Sequence, residues 1–268
     1  MQLTVIVDNN TFIDQYYVGE PAVCYYIEDG ESKILFDVGY SDVFIYNAKK
    51  MGINIHTVTD IVISHGHDDH TRGLKYLCGN AAHTGIRLVA HPDIFAERYE
   101  DSLSISCPVP LTVVEKNFEV TLTRHPLKIS DSIVFLGEIP TYNDFERNNN
   151  IGFIKRNCGL EKDFVLDDSA ITYKGSDGLF IITGCSHSGI CNIIDHAKNI
   201  CQDSRIAGIL GGFHLLEVSD QLYKTIAYFK ENNIKNLFPC HCVSLAAKCE
   251  INNHIRINEV GVGMKIHI

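Results

Sequence analysis

Ser64-His65-Gly66-His67-Asp68-Asp69-His70 follows the apolar run Ile61-Val62-Ile63 and leads into a stretch of helical spacing from about Thr71. With 13 histidines in 268 residues, three histidines and one aspartate at this spacing arise by chance in about a few chains per thousand of this size, so the motif is specific. Alternate side chains of an extended segment share a face, so His65 and His67 can reach one ion, and Gly66 permits a close backbone approach. Asp69 and His70 then turn toward a second position beside the first. Imidazole and carboxylate together suit zinc, iron or manganese and do not choose among them. The bland alternative is a surface turn in which Asp68 or Asp69 merely caps the helix.

The same unit recurs along the chain. An apolar run ends in a histidine and a helix follows: Leu179–Ser186 leads to His187 and a helix over 189–200, and Ile206–Phe213 to His214 and a helix over 219–232. Ile234–Cys240 leads to His241 and a helix from Ser244, and Arg87–Ala90 to His91 is a weaker fifth instance. Alternating strands and helices predict an α/β architecture, in which groups at the carboxyl ends of strands converge on one crevice. His187 and His241 are therefore read as further metal ligands. His214 is read as a ligand or as an acid or base touching substrate. Cys185 is either a buried thiol or a soft, bridging ligand. Cys240 and Cys242 flank His241 and, in a strand, point away from it, so they are assigned to packing. Asp37, before Gly39, is a turn residue or orients a ligand histidine. His56, His83, His125, His196, His254 and His267 are given no role.

Around these units, short apolar stretches at 1–8, 22–28 and 33–39 predict hairpin-connected strands, with turn clusters at Asp8-Asn9-Asn10 and Glu28-Asp29-Gly30. Ser41 is the expected N-cap of a helix reaching Met51. The segment 93–150 is less regular and is expected to be an insertion or lid. Apolar residues make up 45% of the chain, enough for one large domain or two small ones. A net charge of −10 provides no general pull toward nucleic acid or an anionic membrane. No apolar run approaches the ~20 residues that span a bilayer. The first residues lack the basic and apolar regions of a signal peptide, and the ten scattered cysteines are read as reduced thiols of a cytoplasmic protein.

Leu35-Phe36-Asp37-Val38-Gly39 followed by the histidine motif resembles the opening of the metallo-β-lactamase superfamily. Asp8-Asn9-Asn10-Thr11, Ala90-His91-Pro92-Asp93, Gly137-Glu138-Ile139-Pro140, Thr183–Ile190, Gly211–Leu215 and Pro239–Cys242 resemble one branch of it, the 7,8-dihydropterin-6-methyl-4-(β-D-ribofuranosyl)-aminobenzene-5′-phosphate synthase family. These motifs run over nearly the whole chain. The resemblance implies one αββα four-layer sandwich over residues 1–268 with the metal site along an edge. It implies one ion held by His65, His67 and a later histidine, taken as His187, and a second by Asp69, His70 and His241. Four positions depart from the pattern. Cys185 stands where a bridging aspartate is usual, Gly137-Glu138 where a histidine-containing motif is usual, Asp68 where an aromatic residue is expected and Thr141 where an arginine is expected.

Two divalent ions, with zinc favoured over iron or manganese, would make hydroxide available and polarise a phosphoryl or carbonyl oxygen. Asp69 or His214 would pass a proton to the leaving group. The expected activity is hydrolysis of a small phosphoester or phosphodiester, with no nucleic-acid or membrane partner and with homo-oligomerisation left open. The alternatives are the pterin condensation in the branch's name, a diiron sensor or redox protein, and a non-catalytic binding module.

Overall fold

The computed structural model describes residues 1–79, 85–148 and 150–268. His83 lies outside the described residues. Alternation along the strands builds three apolar layers. In Ser32–Phe36, Ile34 and Phe36 face one side and Leu35 the other; in Gly178–Thr183, Phe180 and Ile182 oppose Leu179 and Ile181. The inner residues of both sheets meet in one cluster that includes Val5, Phe36, Val62, Phe180, Leu210 and Phe238. Each outer face packs under helices, one beneath Phe44 and Ala48, the other beneath Ile193, Ile226 and Ile251. Strands buried on both faces therefore read as near-continuous apolar runs. Each fully buried Ile or Phe contributes about 1.5–3 kcal/mol. The order is helix, sheet, sheet, helix, the four-layer sandwich expected.

The first sheet runs Lys265–His267, Gln2–Val7, Cys24–Asp29, Ser32–Phe36, Asp60–Val62, Arg87–Ala90, Glu119–Leu122, and is parallel from Ser32–Phe36 onward. The second runs Leu237–Pro239, Ile206–Gly211, Gly178–Thr183, Ala170–Gly175, Ile133–Phe135, Leu127–Lys128, and its first three strands are parallel. A small third sheet joins Gly159–Lys162, Phe153–Arg156, Arg98–Glu100 and Leu103–Ser104.

Three expectations are corrected here. The segment 93–150 is not an irregular insertion: it supplies strands to all three sheets, including Glu119–Leu122 and Ile133–Phe135, which are too short to show periodicity. The helix at Val43–Lys50 starts after Asp42, while the Ser41 hydroxyl accepts from the Val43 N–H (3.2 Å) and donates to Glu20 (2.6 Å). The helix expected from Thr71 begins earlier, as a single turn over Asp68–Thr71, and is broken before Leu74–Leu77. The break is at Gly73, where a Cβ would lie 1.9 Å from the Val38 carbonyl oxygen. The later helices follow their caps: Ser219 Oγ accepts from Leu222 N–H ahead of Asp220–Glu231, and Ser244 Oγ from Ala247 N–H ahead of Leu245–His254. No helix among the described residues is long and apolar enough to cross a membrane.

Candidate metal centre

The parallel strands of the two sheets end on the same side of the sandwich, where their carboxyl ends carry the histidines. Turning each chain off its strand takes a left-handed residue: Asp37 (φ 57°), Ser186 (60°), His214 (48°) and His241 (51°). Asp and His tolerate this region better than most residues, yet each still costs on the order of 1 kcal/mol, held by the surrounding structure.

From the first sheet come His65, His67, Asp69 and His70. His65 Nε2 lies 3.1 Å from His67 Nδ1, and the His65 and His70 ring centres are 4.2 Å apart. From the second come Cys185, His187, His214 and His241. Asp69 Oδ2 lies 3.3 Å from His70 Nε2 and 3.3 Å from His241 Nε2. The His187 ring is 4.8 Å from His65, 4.9 Å from His67 and 4.4 Å from His214. Donor atoms of His65, Cys185 and His187 lie within 4.8 Å of one another, as do those of His70, Cys185 and His241. Cys185 belongs to both groups, with its Sγ 3.2 Å from His70 Nε2.

Donors bonded at ~2.1 Å to one tetrahedral ion lie about 3.4 Å apart. The observed separations of 3.1–3.3 Å fit that spacing. The Nε2 atoms of His67 and His187 are enclosed and have no hydrogen-bond partner. Enclosed polar atoms without partners are unfavourable, and a bound cation answers such a group. The donor set therefore fits a metal site.

Groups behind the donors hold them in place. Asp37, fully buried, accepts from Ser64 N–H (2.7 Å) and Ser64 Oγ (2.8 Å) and pairs with His70 Nδ1 (2.7 Å), the orienting role anticipated for it. Ser64 Oγ also meets His65 Nδ1 at 2.9 Å. Asp8 and Asn9, read from sequence only as a turn, hold His241: Asp8 Oδ1 accepts its N–H (3.0 Å), and Asn9 Oδ1 lies 3.1 Å from its Nδ1. Their only signal in the sequence was membership of a branch motif. Arg98 had none. Its guanidinium is fully buried, donates to Asp163 (2.7 Å) and Asp167 (2.5 Å), and backs onto Gly66, whose N–H donates to Asp167 Oδ2 (2.8 Å). A Cβ on Gly66 would stand 2.2 Å from Arg98 Nη1 and 2.4 Å from the Ile94 carbonyl oxygen.

Burial holds His65, His67 and His187 below the ordinary histidine pKa, His67 at about 3, so these rings are neutral with lone pairs free to ligate. Burial also opposes charge on His70, but Asp69 and Asp37 outweigh it and raise its pKa.

The remaining candidates separate. His91 is satisfied away from the centre, its Nε2 3.2 Å from Glu138 and its Nδ1 accepting from Asp93 N–H (3.1 Å). His196 contacts the Tyr142 hydroxyl (3.0 Å) and the Leu136 carbonyl (3.1 Å). Cys240 packs between the sheets against Tyr25, as expected. Cys242 does not simply pack: it lines a cavity of about 380 Å³ together with Asp69, Cys185, His187, His214 and His241. The left-handed turn at His241 ends the strand alternation that would have sent it away.

The profile of the metallo-beta-lactamase superfamily matches residues 17–132. The chain is 31% identical over 258 residues to an uncharacterized protein of Methanocaldococcus jannaschii, covering 94% of this chain and 96% of that one. Its fold matches the crystal structure of Tm1679, described as a metal-dependent hydrolase of the beta-lactamase superfamily, with a TM-score of 0.85 at 28% identity over 100% of this chain and 99% of that one. The chain belongs to the metallo-β-lactamase superfamily. Within that superfamily it is 29% identical over 229 residues to the 7,8-dihydropterin-6-methyl-4-(β-D-ribofuranosyl)-aminobenzene-5′-phosphate synthase of M. jannaschii, covering 81% of this chain and 78% of that protein. Cys185, the departure from the usual superfamily aspartate, is the residue common to both donor groups.

Proposed function

We propose that the chain is a binuclear metal-dependent hydrolase of small phosphoesters or phosphodiesters. The observation that carries the reading is the convergence of two donor groups, from both sheets, on the shared thiol of Cys185. His65, His67 and His187 would hold one ion and Asp69, His70 and His241 the other, and the Cys185 thiol belongs to both donor groups. Two such ions, zinc by preference, would supply a hydroxide at neutral pH and would neutralise charge developing on a phosphoryl oxygen. Asp37 fixes the His70 ring and Asn9 the His241 ring, so the donors are held before substrate arrives. Asp69 Oδ2 is committed to His70 and His241, which leaves the proton transfer to His214, a wall of the substrate cavity. The name of the methanogen relative favours a second reading, a condensation of a pterin with a ribofuranosylaminobenzene phosphate.

Elemental analysis of the purified protein and of His67→Ala, beside a phosphodiester assay on both, tests the reading. About two equivalents of metal in the wild type, with metal and hydrolysis both reduced at least tenfold in the variant, is the expected result. Full metal without hydrolysis would turn the assignment to the condensation. Metal-free protein from a metal-sparing preparation would end it.

A further inference from the structure

Arg147 forms no ion pair among the described residues. Arg72, Arg87, Arg98, Arg124, Arg156 and Arg205 each pair with a carboxylate, and Arg256 is exposed. Arg147 is partly buried, and among the described residues it makes no ion pair. Its Nη1 donates to the Ile139 carbonyl oxygen (2.8 Å) and its Nη2 to Ser188 Oγ, while its Nε–H is enclosed and unpartnered. Asp168, Glu138 and Glu146 act on it only through space, and burial keeps its pKa below the ordinary arginine value.

The loop that carries it is strapped down. The Glu146 carboxylate accepts the N–H groups of Cys191 and Asn192 (both 2.9 Å), in the first turn of the helix Ile190–Cys201, and Asn143 Nδ2 (2.8 Å). Asn192 Oδ1 in turn accepts the Tyr142 N–H (2.6 Å). Arg147 itself sits in the left-handed region at φ 57°. Arg147 lines a cavity of about 400 Å³ shared with His187 and His214, where Phe164 and Leu216 add apolar wall and the exposed Glu217 is the acid present. A desolvated guanidinium in a fixed place loses little entropy when an anion arrives. Its unused N–H groups match the oxygens of a phosphate or carboxylate.

We propose that Arg147 is an oxyanion-binding residue of the cavity it shares with His187 and His214, taking a phosphate or carboxylate group of the substrate beside the metal centre. The proposal rests on the hydrolase reading of that centre for its substrate, though its test does not.

The test is calorimetric titration of inorganic phosphate, and in a second arm acetate, at constant ionic strength. The proteins are the metal-loaded wild type, Arg147→Met, Arg147→Gln and His67→Ala, each with its metal content and melting temperature measured. Phosphate binding at least tenfold weaker in both Arg147 variants, at wild-type metal content, is the expected result. Weakened acetate binding with unchanged phosphate binding would assign the residue to a carboxylate. Arg147→Gln, which can still donate a hydrogen bond, decides the matter if Arg147→Met does not fold. Wild-type affinity for both anions in a folded Arg147 variant would overturn the proposal. So would phosphate binding lost in His67→Ala but kept in the Arg147 variants, which places the anion on the metal. Arg147-dependent binding that survives in His67→Ala upholds the anion site even if no hydrolysis is found.

Discussion

Two arginines stand next to the histidine-bearing turns, Arg98 at Gly66 and Arg147 at Ser188, and the chain treats them in opposite ways. Arg98, under the His65-Gly66-His67 turn, is fully buried and donates to two carboxylates. Arg147, beside His187, is partly buried and meets a carbonyl and a hydroxyl but no carboxylate. The neighbouring aspartates Asp167 and Asp168 divide accordingly: Asp167 bridges Arg98 and the Gly66 N–H, whereas Asp168 takes the Ser188 N–H (2.8 Å) and leaves Oδ1 unpartnered. A buried charge completed by protein groups is structural. One left incomplete at the wall of a cavity is available to a ligand.

The largest expected effect is at Arg98. Arg98→Met strands Asp163 and Asp167 in the interior and should cost about 3–5 kcal/mol in urea unfolding, with reduced metal content. A loss under ~1 kcal/mol would erase the contrast between the two sites. Asp168 comes next. Burial raises its pKa to about 6, above the unfolded value of about 3.9. The folded state then binds the extra proton between those values, so this group's contribution to stability falls as pH rises from about 4 to about 6 and is flat above. Asp168→Asn should remove that slope and stabilise the protein at pH 7 by about 3 kcal/mol at most, read from melting curves across that range. An unchanged slope would mean that Arg147 already neutralises Asp168. The smallest effect is the stability change in Arg147→Met, expected within about 1 kcal/mol because no paired carboxylate is left behind.

How far the sequence reveals the site follows from how far apart its parts lie. His65, His67, Asp69 and His70 sit within six positions of one another, so their spacing alone marks them. His187, His214 and His241 are visible only as repeats of a strand-end pattern, and the same pattern also picked out His91, which Glu138 and Asp93 satisfy elsewhere. Asp8 and Asn9 lie more than 230 residues before the histidine they hold. Cys242 departs from the packing role that strand alternation implies because the chain has already left the strand at His241. Arg98 and Arg147 carry no local pattern, since what distinguishes them is the presence or absence of a partner elsewhere in the chain.

The sequence by itself determined the α/β class, the helices expected near 189–200, 219–232 and from 244, and the clustering of histidines in the first motif. Each follows from periodicity, caps or spacing within a few residues. Only the tertiary structure decided that Cys185 joins both donor groups, that Asp37 and Asn9 orient the rings, and that Arg98 is neutralised while Arg147 is not. Those outcomes depend on which distant strand ends meet in a low-dielectric interior. There, the free energy of a charged or polar group is set by the partners that the fold brings to it.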